Sequence, residues 1–234
     1  MTIRNSDTLK GLKKDLKKLL VEYWKIKRKR KINRYIHEHD VRCLHIGSDI
    51  SFLEGWLCSD IYPRNKTSIY LDATQPFPFN DNTFDNVYSE HMIEHIPQTA
   101  GSFMMHESFR ILKKGGKIRI ATTDLERIIN LYCKESEGFG KEYIRWITDR
   151  FIENSTGYSA AAVVNKLYHG WGHCFLYDEV LLTSALMGAG FSNIKRYRAG
   201  MSGDEKLTGI ESHHLNVGNE EMVEFETMVL EAEK

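Results

Sequence analysis

The chain has 234 residues, 41% of them hydrophobic, and a formal net charge of zero, which suits one large domain with an appendage better than two full domains. No apolar run approaches the roughly 18 residues of a membrane span, and the N-terminus (MTIRNSDTLKGLKK) lacks the apolar core of a secretory signal. Cys43, Cys58, Cys133 and Cys174 form no CxxC pair, which argues against a zinc cluster or a disulfide framework and makes a reducing, cytoplasmic setting the expectation.

The neutral total hides an uneven distribution. Residues 1–34 hold thirteen Lys and Arg against Asp7, Asp15 and Glu22, a net +10 that leaves the rest of the chain at −10. Leu9, Leu12, Leu16, Leu19, Leu20 and Tyr23 recur at spacings of three and four, predicting an amphipathic helix from about Ser6 to Arg30 with Ser6 or Asp7 as its cap. Residues 1–40 are therefore expected to form a basic helical arm ahead of a domain spanning 41–234. Its leucine stripe has two readings: packing on the domain or on a second subunit as a homodimer, or peripheral attachment to a membrane whose anionic headgroups meet the lysines. Nucleic acid is a weaker partner, because aromatic interleaving is thin and no recognition motif follows.

Beyond the arm, strands are expected near 41–46, 56–61, 68–72 and 84–89, each ending in a polar or glycine residue: Gly47, Asp60, Asp72, and Glu90 with His91. A helix is expected over 97–112, opened by Pro97 and stopped by Lys113-Lys114-Gly115-Gly116. KIRIATT reads as a strand, and Asp124 opens a helix carrying Leu125, Ile128, Ile129 and Tyr132. Residues 134–170 contain two helix-like pieces and no strand pattern, as expected of a helical insertion or cap over a pocket. YDEVLLTSALM reads as a helix closed by Gly188 and Gly190. FSNIKRYRA and FETMVLEAEK read as strands, joined by a polar loop with Asp204, Glu205, Glu211, His213 and His214. The fold class is thus α/β, a Rossmann-like doubly wound sheet of seven strands, mostly parallel with an antiparallel edge strand. Ligands of such sheets bind outside the carboxyl ends of the strands, so the four strand ends predict one composite pocket. Only 12 residues separate Gly47 from Asp60, too few for a standard crossover helix.

Three stretches taken in order, LHIGSDISFLEGWLCSDI, DATQPFPFNDNTFDNVYSEHMIEH and ESFRILKKGGKIRIATTDLE, resemble the class I S-adenosylmethionine-dependent methyltransferases. More closely, they are similar to type 11-like methyltransferases associated with surface polysaccharide pathways. The resemblance is strong over about 41–126, weaker over 171–234, and absent over 1–40 and 127–170. It implies S-adenosyl-L-methionine as cofactor, with His45 and Gly47-Ser48 on the first strand turn, Asp60 on the ribose hydroxyls, Asp72 and Ala73 at the adenine, and Ser89 and Glu90 near the sulfonium and its amino-acid tail. The sequence departs from the pattern where Asp49 replaces a glycine and His45 an acid. A carboxylate at Asp49 would repel that of the cofactor unless it points away.

His91 and His95 follow the fourth strand, where the resemblance places the transferable methyl, and a base or orienting group for a hydroxyl acceptor is the expected role. His91-Met-Ile-Glu94-His95 also matches the HxxEH pattern of zinc peptidases, but Pro97 leaves it barely one turn of helix, and no metal is assigned. His169 and His173, around Trp171, form a second candidate set for the acceptor, with Asp124, and with a carboxylate the two histidines would also make a metal-ligand set. The expected function is O-methylation of a sugar or other small hydroxyl acceptor. The alternatives are a non-catalytic scaffold or regulatory protein on the same fold, motivated by the altered glycine turn and the basic arm, and more weakly an RNA methyltransferase using the arm.

Overall fold

A computed structural model describes residues 3–133 and 138–234; residues 1–2 of the expected arm and 134–137 of the expected cap lie outside the described residues. Helix α1 (Ile3–Glu38) leads into β1 (Cys43–Ile46), β2 (Trp56–Asp60), β3 (Ile69–Tyr70) and β4 (Phe84–Glu90). Next come α2 (Gln98–Ile111), β5 (Leu112–Thr123), α3 (Leu125–Cys133), α4 (Phe139–Phe151), α5 (Ala160–His169) and α6 (Glu179–Gly188). The chain closes with β6 (Ser192–Tyr197), α7 (His213–Val217), α8 (Glu220–Glu226) and β7 (Thr227–Glu233).

The strands form one seven-stranded sheet in the order β3-β2-β1-β4-β5-β7-β6. β1 to β5 pair in parallel, while β7 runs antiparallel to both β5 and β6. The antiparallel strand therefore sits one place in from the edge, and β6 forms the edge itself. β1 and most of β4 and β5 are buried, as parallel strands covered on both faces must be. Leu44, Ile46, Val87, Ile118 and Ile120 face one core, closed by Met104, Met105 and Ile111 of α2 and Leu182 and Leu186 of α6.

The opposite face is covered in an unusual way. Residues 47–55 contain no helix, as the short span from Gly47 to Asp60 required, so Cys43, Trp56 and Tyr88 would lie open. Leu207 and Ile210, from the segment joining β6 to β7, pack there instead. Arg119 of β5, fully buried, pins that segment by donating to Glu211 at 2.6 Å and to the Met201 carbonyl at 3.0 Å, while also bonding Glu231 at 2.5 Å. The segment read as a polar loop is thus a structural layer with two short helices, and Glu226 ends α8 rather than beginning a strand.

Other elements shift for local reasons. Ser6 and Asp7 lie inside α1, which starts by Ile3. Pro97 is the cap of α2 rather than its first residue. Lys113 to Gly116 do not end the helix: β5 begins at Leu112, and these residues form an irregularity in its pairing with β4, with Gly115 at φ +77° where the chain bulges. Asp124 opens α3 as expected, its Oδ1 accepting from the Glu126 and Arg127 N–H groups. α4 and α5 fill the expected cap and share a core with Ile128 and Leu131 of α3 and Met222 of α8. Among the described residues no helix is long and apolar enough to cross a membrane.

Candidate active site at the carboxyl ends of β1, β2 and β4

The first part of the site is a cleft where the strand order reverses between β1 and β4. Gly47 ends β1 at φ +72°, and a Cβ there would fall 2.3 Å from Met92 Cγ, so both backbone conformation and close packing require glycine. Asp60 at the end of β2 accepts the Asp49 N–H at 3.0 Å on Oδ2 and the Tyr62 N–H at 2.7 Å on Oδ1. A carboxylate has about four acceptor positions, so each oxygen retains capacity for a ligand hydroxyl. Asp72 turns the chain after β3, its Oδ1 accepting from the Thr74 N–H at 3.0 Å and the Thr74 hydroxyl at 2.7 Å. Ala73 is buried in the main core. Asp49 turns its carboxylate outward to Arg64, 3.2 Å away.

Two buried hydroxyls at the ends of β1 and β4, Ser48 Oγ and Ser89 Oγ, have no hydrogen-bond partner. Buried polar groups are rarely left unpaired, and such orphans mark a place for a missing ligand or water. His45 is also buried with both ring nitrogens unpartnered, its ring tilted 37° against that of Tyr88 at 4.8 Å between centroids, and burial lowers its pKa to about 3. It is a neutral ring inside the sheet face. Glu90 ends β4 with its carboxylate on the start of α7, accepting from the Ser212 N–H and the His213 N–H, both at 2.9 Å.

The second part adjoins that corner. His91, at φ +42°, bonds Glu94 Oε1 through Nδ1 and Thr227 Oγ1 through Nε2, both at 2.9 Å. Burial opposes its charge, but the hydrogen bond and charge of Glu94, with Glu226 and Glu90, outweigh it and raise the pKa to about 9. Glu94 is fully buried; burial pushes its carboxyl up, but His91 prevails and holds it down to about 2. Thr122 also donates to Glu94 at 2.8 Å. At neutral pH this is a buried ion pair, so His91 holds its proton and is not free to take another. The segment Ile93–His95 is a single 3-10 turn, which directs His95 toward His173, 4.8 Å between centroids, and away from His91. The two histidines of the peptidase-like pattern therefore share no ligand position.

The ring of His213 stacks on His91 at 4.2 Å, and burial followed by the neighbouring His91 lowers its pKa to about 3. Glu226 is buried, bonded by the Tyr143 hydroxyl; burial raises its pKa, with His91 and Tyr143 opposing. These groups floor a cavity of about 230 Å³ walled by Trp146, Phe151, Leu167, Trp171 and Val217. Of the expected acceptor residues, Trp171 and His173 line it, with Trp171 at φ +53° and Lys166 Nζ 4.6 Å over its ring. Asp124 and His169 do not. Asp124 is buried against Arg196 at 2.6 Å, and His169 is exposed at the end of α5. A wider groove of about 670 Å³ runs past Arg127, Arg196 and Arg198, but Arg196 is paired with Asp124 and Glu179 and Arg198 with Glu224, which leaves it less poised for chemistry.

Residues 35–120 match the family model of a methyltransferase domain. The methyltransferase-domain match takes in Gly47, Asp60, Asp72, Glu90 and His91, and stops before His213 and Glu226. The fold is similar to that of an S-adenosylmethionine-dependent methyltransferase from Archaeoglobus fulgidus, at 16% identity and TM-score 0.48, covering 93% of this chain and 94% of that one. It is also similar to one from Mesorhizobium loti, at 14% identity and TM-score 0.48, covering 83% and 91%. No curated protein matches the chain.

Glu94, Tyr143, Glu226 and Thr227 were not among the candidates from sequence. Glu94 had a signal, its spacing of three from His91; Tyr143 lies in the segment expected to cap the pocket but carried no signal of its own, and Glu226 lies in a segment that sequence gave no reason to join to the site.

Proposed function

We propose that the protein is an S-adenosylmethionine-dependent methyltransferase that O-methylates a small hydroxyl acceptor, of the kind a sugar ring presents. The observation that carries this reading is the Glu90–His91 corner: Glu90 closes the strand-end cleft, and His91, the next residue, floors the aromatic cavity, so donor and acceptor would meet there. Asp60 would hold the ribose diol, Asp72 the adenine edge, Gly47 the close backbone approach, and Ser48 and Ser89 would gain the partners they lack. Bound there, S-adenosylmethionine supplies a methyl group on a sulfonium, open to in-line displacement.

The chain's own residues would do the rest. Trp146, Phe151 and Trp171 exclude water and offer ring faces to an acceptor, and the cavity of about 230 Å³ admits a single ring rather than a drug-sized molecule. Glu226, whose raised pKa moves it toward the range where a general base is effective, would take the proton of the acceptor hydroxyl. His91, fixed by Glu94 and Thr227, is a positioning residue that keeps positive charge beside Glu226. His95 remains a candidate to orient the acceptor from the rim. Of the two grounds for a non-catalytic scaffold, the altered glycine turn and the basic arm, the first loses weight because the Asp49 carboxylate pairs with Arg64 at 3.2 Å.

Calorimetry with S-adenosylmethionine and S-adenosylhomocysteine tests the reading. Binding of both is expected, weakened at least tenfold in Asp60→Ala with an unchanged circular dichroism spectrum, since hydrogen bonds to a charged group are worth roughly 1.5–3 kcal/mol. Absence of binding at millimolar ligand would sink it.

A further inference from the structure

We propose that the outward stripe of α1 is the seam of a parallel two-stranded coiled coil with a second copy of this chain. This does not depend on the methyltransferase reading. The helix meets its own domain through Trp24, which stacks near Tyr70, through Arg28 and Lys31, which donate to the Tyr70 and Ser68 carbonyls, and through buried Ile32 and Tyr35. Leu12, Leu16, Leu19, Tyr23 and Ile26 are 51–74% exposed. At 3.6 residues per turn the two sets are centred about 140° apart around the helix. The leucine stripe therefore does not pack on its own domain, which removes one of the readings open at the level of sequence.

The pattern of the stripe identifies its occupant. Leu9, Leu12, Leu16, Leu19, Tyr23 and Ile26 alternate steps of three and four without a slip. That is the 3.5-residue period of a coiled-coil seam, with these residues at the a and d positions. Arg30 takes the next a position and ends the seam with a charge. The acids Asp15 and Glu22 both fall at g, and Lys13 and Lys27 fall at e. In a parallel pair each g residue meets the e residue five places on in the other helix, which sets Glu22 against the partner's Lys27. An antiparallel pair with the same seam in register would set Asp15 against Glu22. Lys14, Lys17, Lys18, Lys25 and Arg28 lie at b, c and f, on the side turned from the seam. A helix lying in an anionic bilayer gains most from basic residues flanking its apolar face; here most of them sit behind it. The domain, docked on that same rear side, leaves the seam open from Leu12 to Ile26.

Sedimentation velocity of the full chain from 1 to 100 µM reads the proposal. A monomer–dimer equilibrium is expected, abolished in Leu16→Lys/Leu19→Lys. Glu22→Lys, an exposed change that leaves the fold intact, should weaken dimerisation at least tenfold, and adding Lys27→Glu to that variant should restore it. A monomer at every concentration, or a dimer indifferent to Leu16→Lys/Leu19→Lys, overturns the proposal. So does a monomer that co-floats with phosphatidylglycerol vesicles through Leu16 and Leu19, which would assign the stripe to a membrane.

Discussion

The two halves of the candidate site are built by opposite means. In the cleft at β1 to β3 the carboxylates bind backbone close by in sequence: Asp72 holds Thr74, and Asp60 holds Tyr62 and Asp49. In the cavity, His91 bonds Thr227, and Tyr143 bonds Glu226, across most of the domain. The Asp60 and Asp72 end of the cleft is a local device, and only its Glu90 corner leans on the distant Ser212 and His213, whereas the cavity exists only once distant segments have met. Loss of one cleft residue should therefore affect ligand binding and little else, while loss of a cavity residue should affect chemistry, stability, or both.

The sharpest way to break this contrast is Glu226→Gln. If Glu226 is the proton acceptor, turnover with a hydroxyl acceptor should fall by about 10²–10⁴, with calorimetric affinity for the cofactor unchanged; equal loss of both would place Glu226 in cofactor binding instead. Glu94→Ala should come next, since it removes the partner that holds the proton on buried His91 and leaves the Thr122 hydroxyl without its acceptor. Denaturant unfolding should show a loss of about 3–5 kcal/mol, and a loss below 1 kcal/mol would mean that the pair is not the brace described.

The same pair sets a pH window. His91 is raised from 6.5 to about 9, so its contribution is complete below pH 6.5 and is lost as pH rises toward 9. Glu94 is lowered from 4.5 to about 2, so its contribution is complete above pH 4.5 and is lost as pH falls toward 2. The pair's own contribution, read as the difference in thermal unfolding between the wild type and Glu94→Ala, should be greatest between about pH 4.5 and 6.5 and decline on both sides. Buried neutral His45 and His213, both lowered to about 3, take stability away from wild type and variant alike as pH falls below 6.5. A difference that does not vary with pH would contradict the assignment. The smallest effect belongs to Asp49→Gly. Its carboxylate is directed to an exposed Arg64 and its φ of +44° suits glycine, so cofactor affinity should change by less than about twofold; surface substitutions of this kind are usually within ±0.5 kcal/mol.

This difference in construction also explains what could be read from sequence. The strand ends at Gly47, Asp60, Asp72 and Glu90 were legible because each follows an apolar run and the pocket rule for open sheets depends only on that order. Asp124 was legible as a helix cap, but its buried bond to Arg196, which keeps it out of the cavity, was not. The glycines at 115 and 116 carried a helix-stop signal that the pairing of β5 with β4 overrode. Glu226 and Tyr143 carried no local signal at all, because their roles arise from burial against each other, and burial is a property of the assembled fold.

The layer that replaces the absent helix between β1 and β2 bears on how the protein comes to be folded. Tyr88 and Trp56 wait for Leu207 and Ile210, and β5 waits for β7, so the sheet face exposed after β4 emerges stays uncovered until more than a hundred further residues are made. At ordinary rates of synthesis that interval is on the order of ten seconds. The nascent chain thus passes through a period of exposed aromatic surface, and any variant that loosens Arg119 from Glu211 would return the finished molecule to that vulnerable condition.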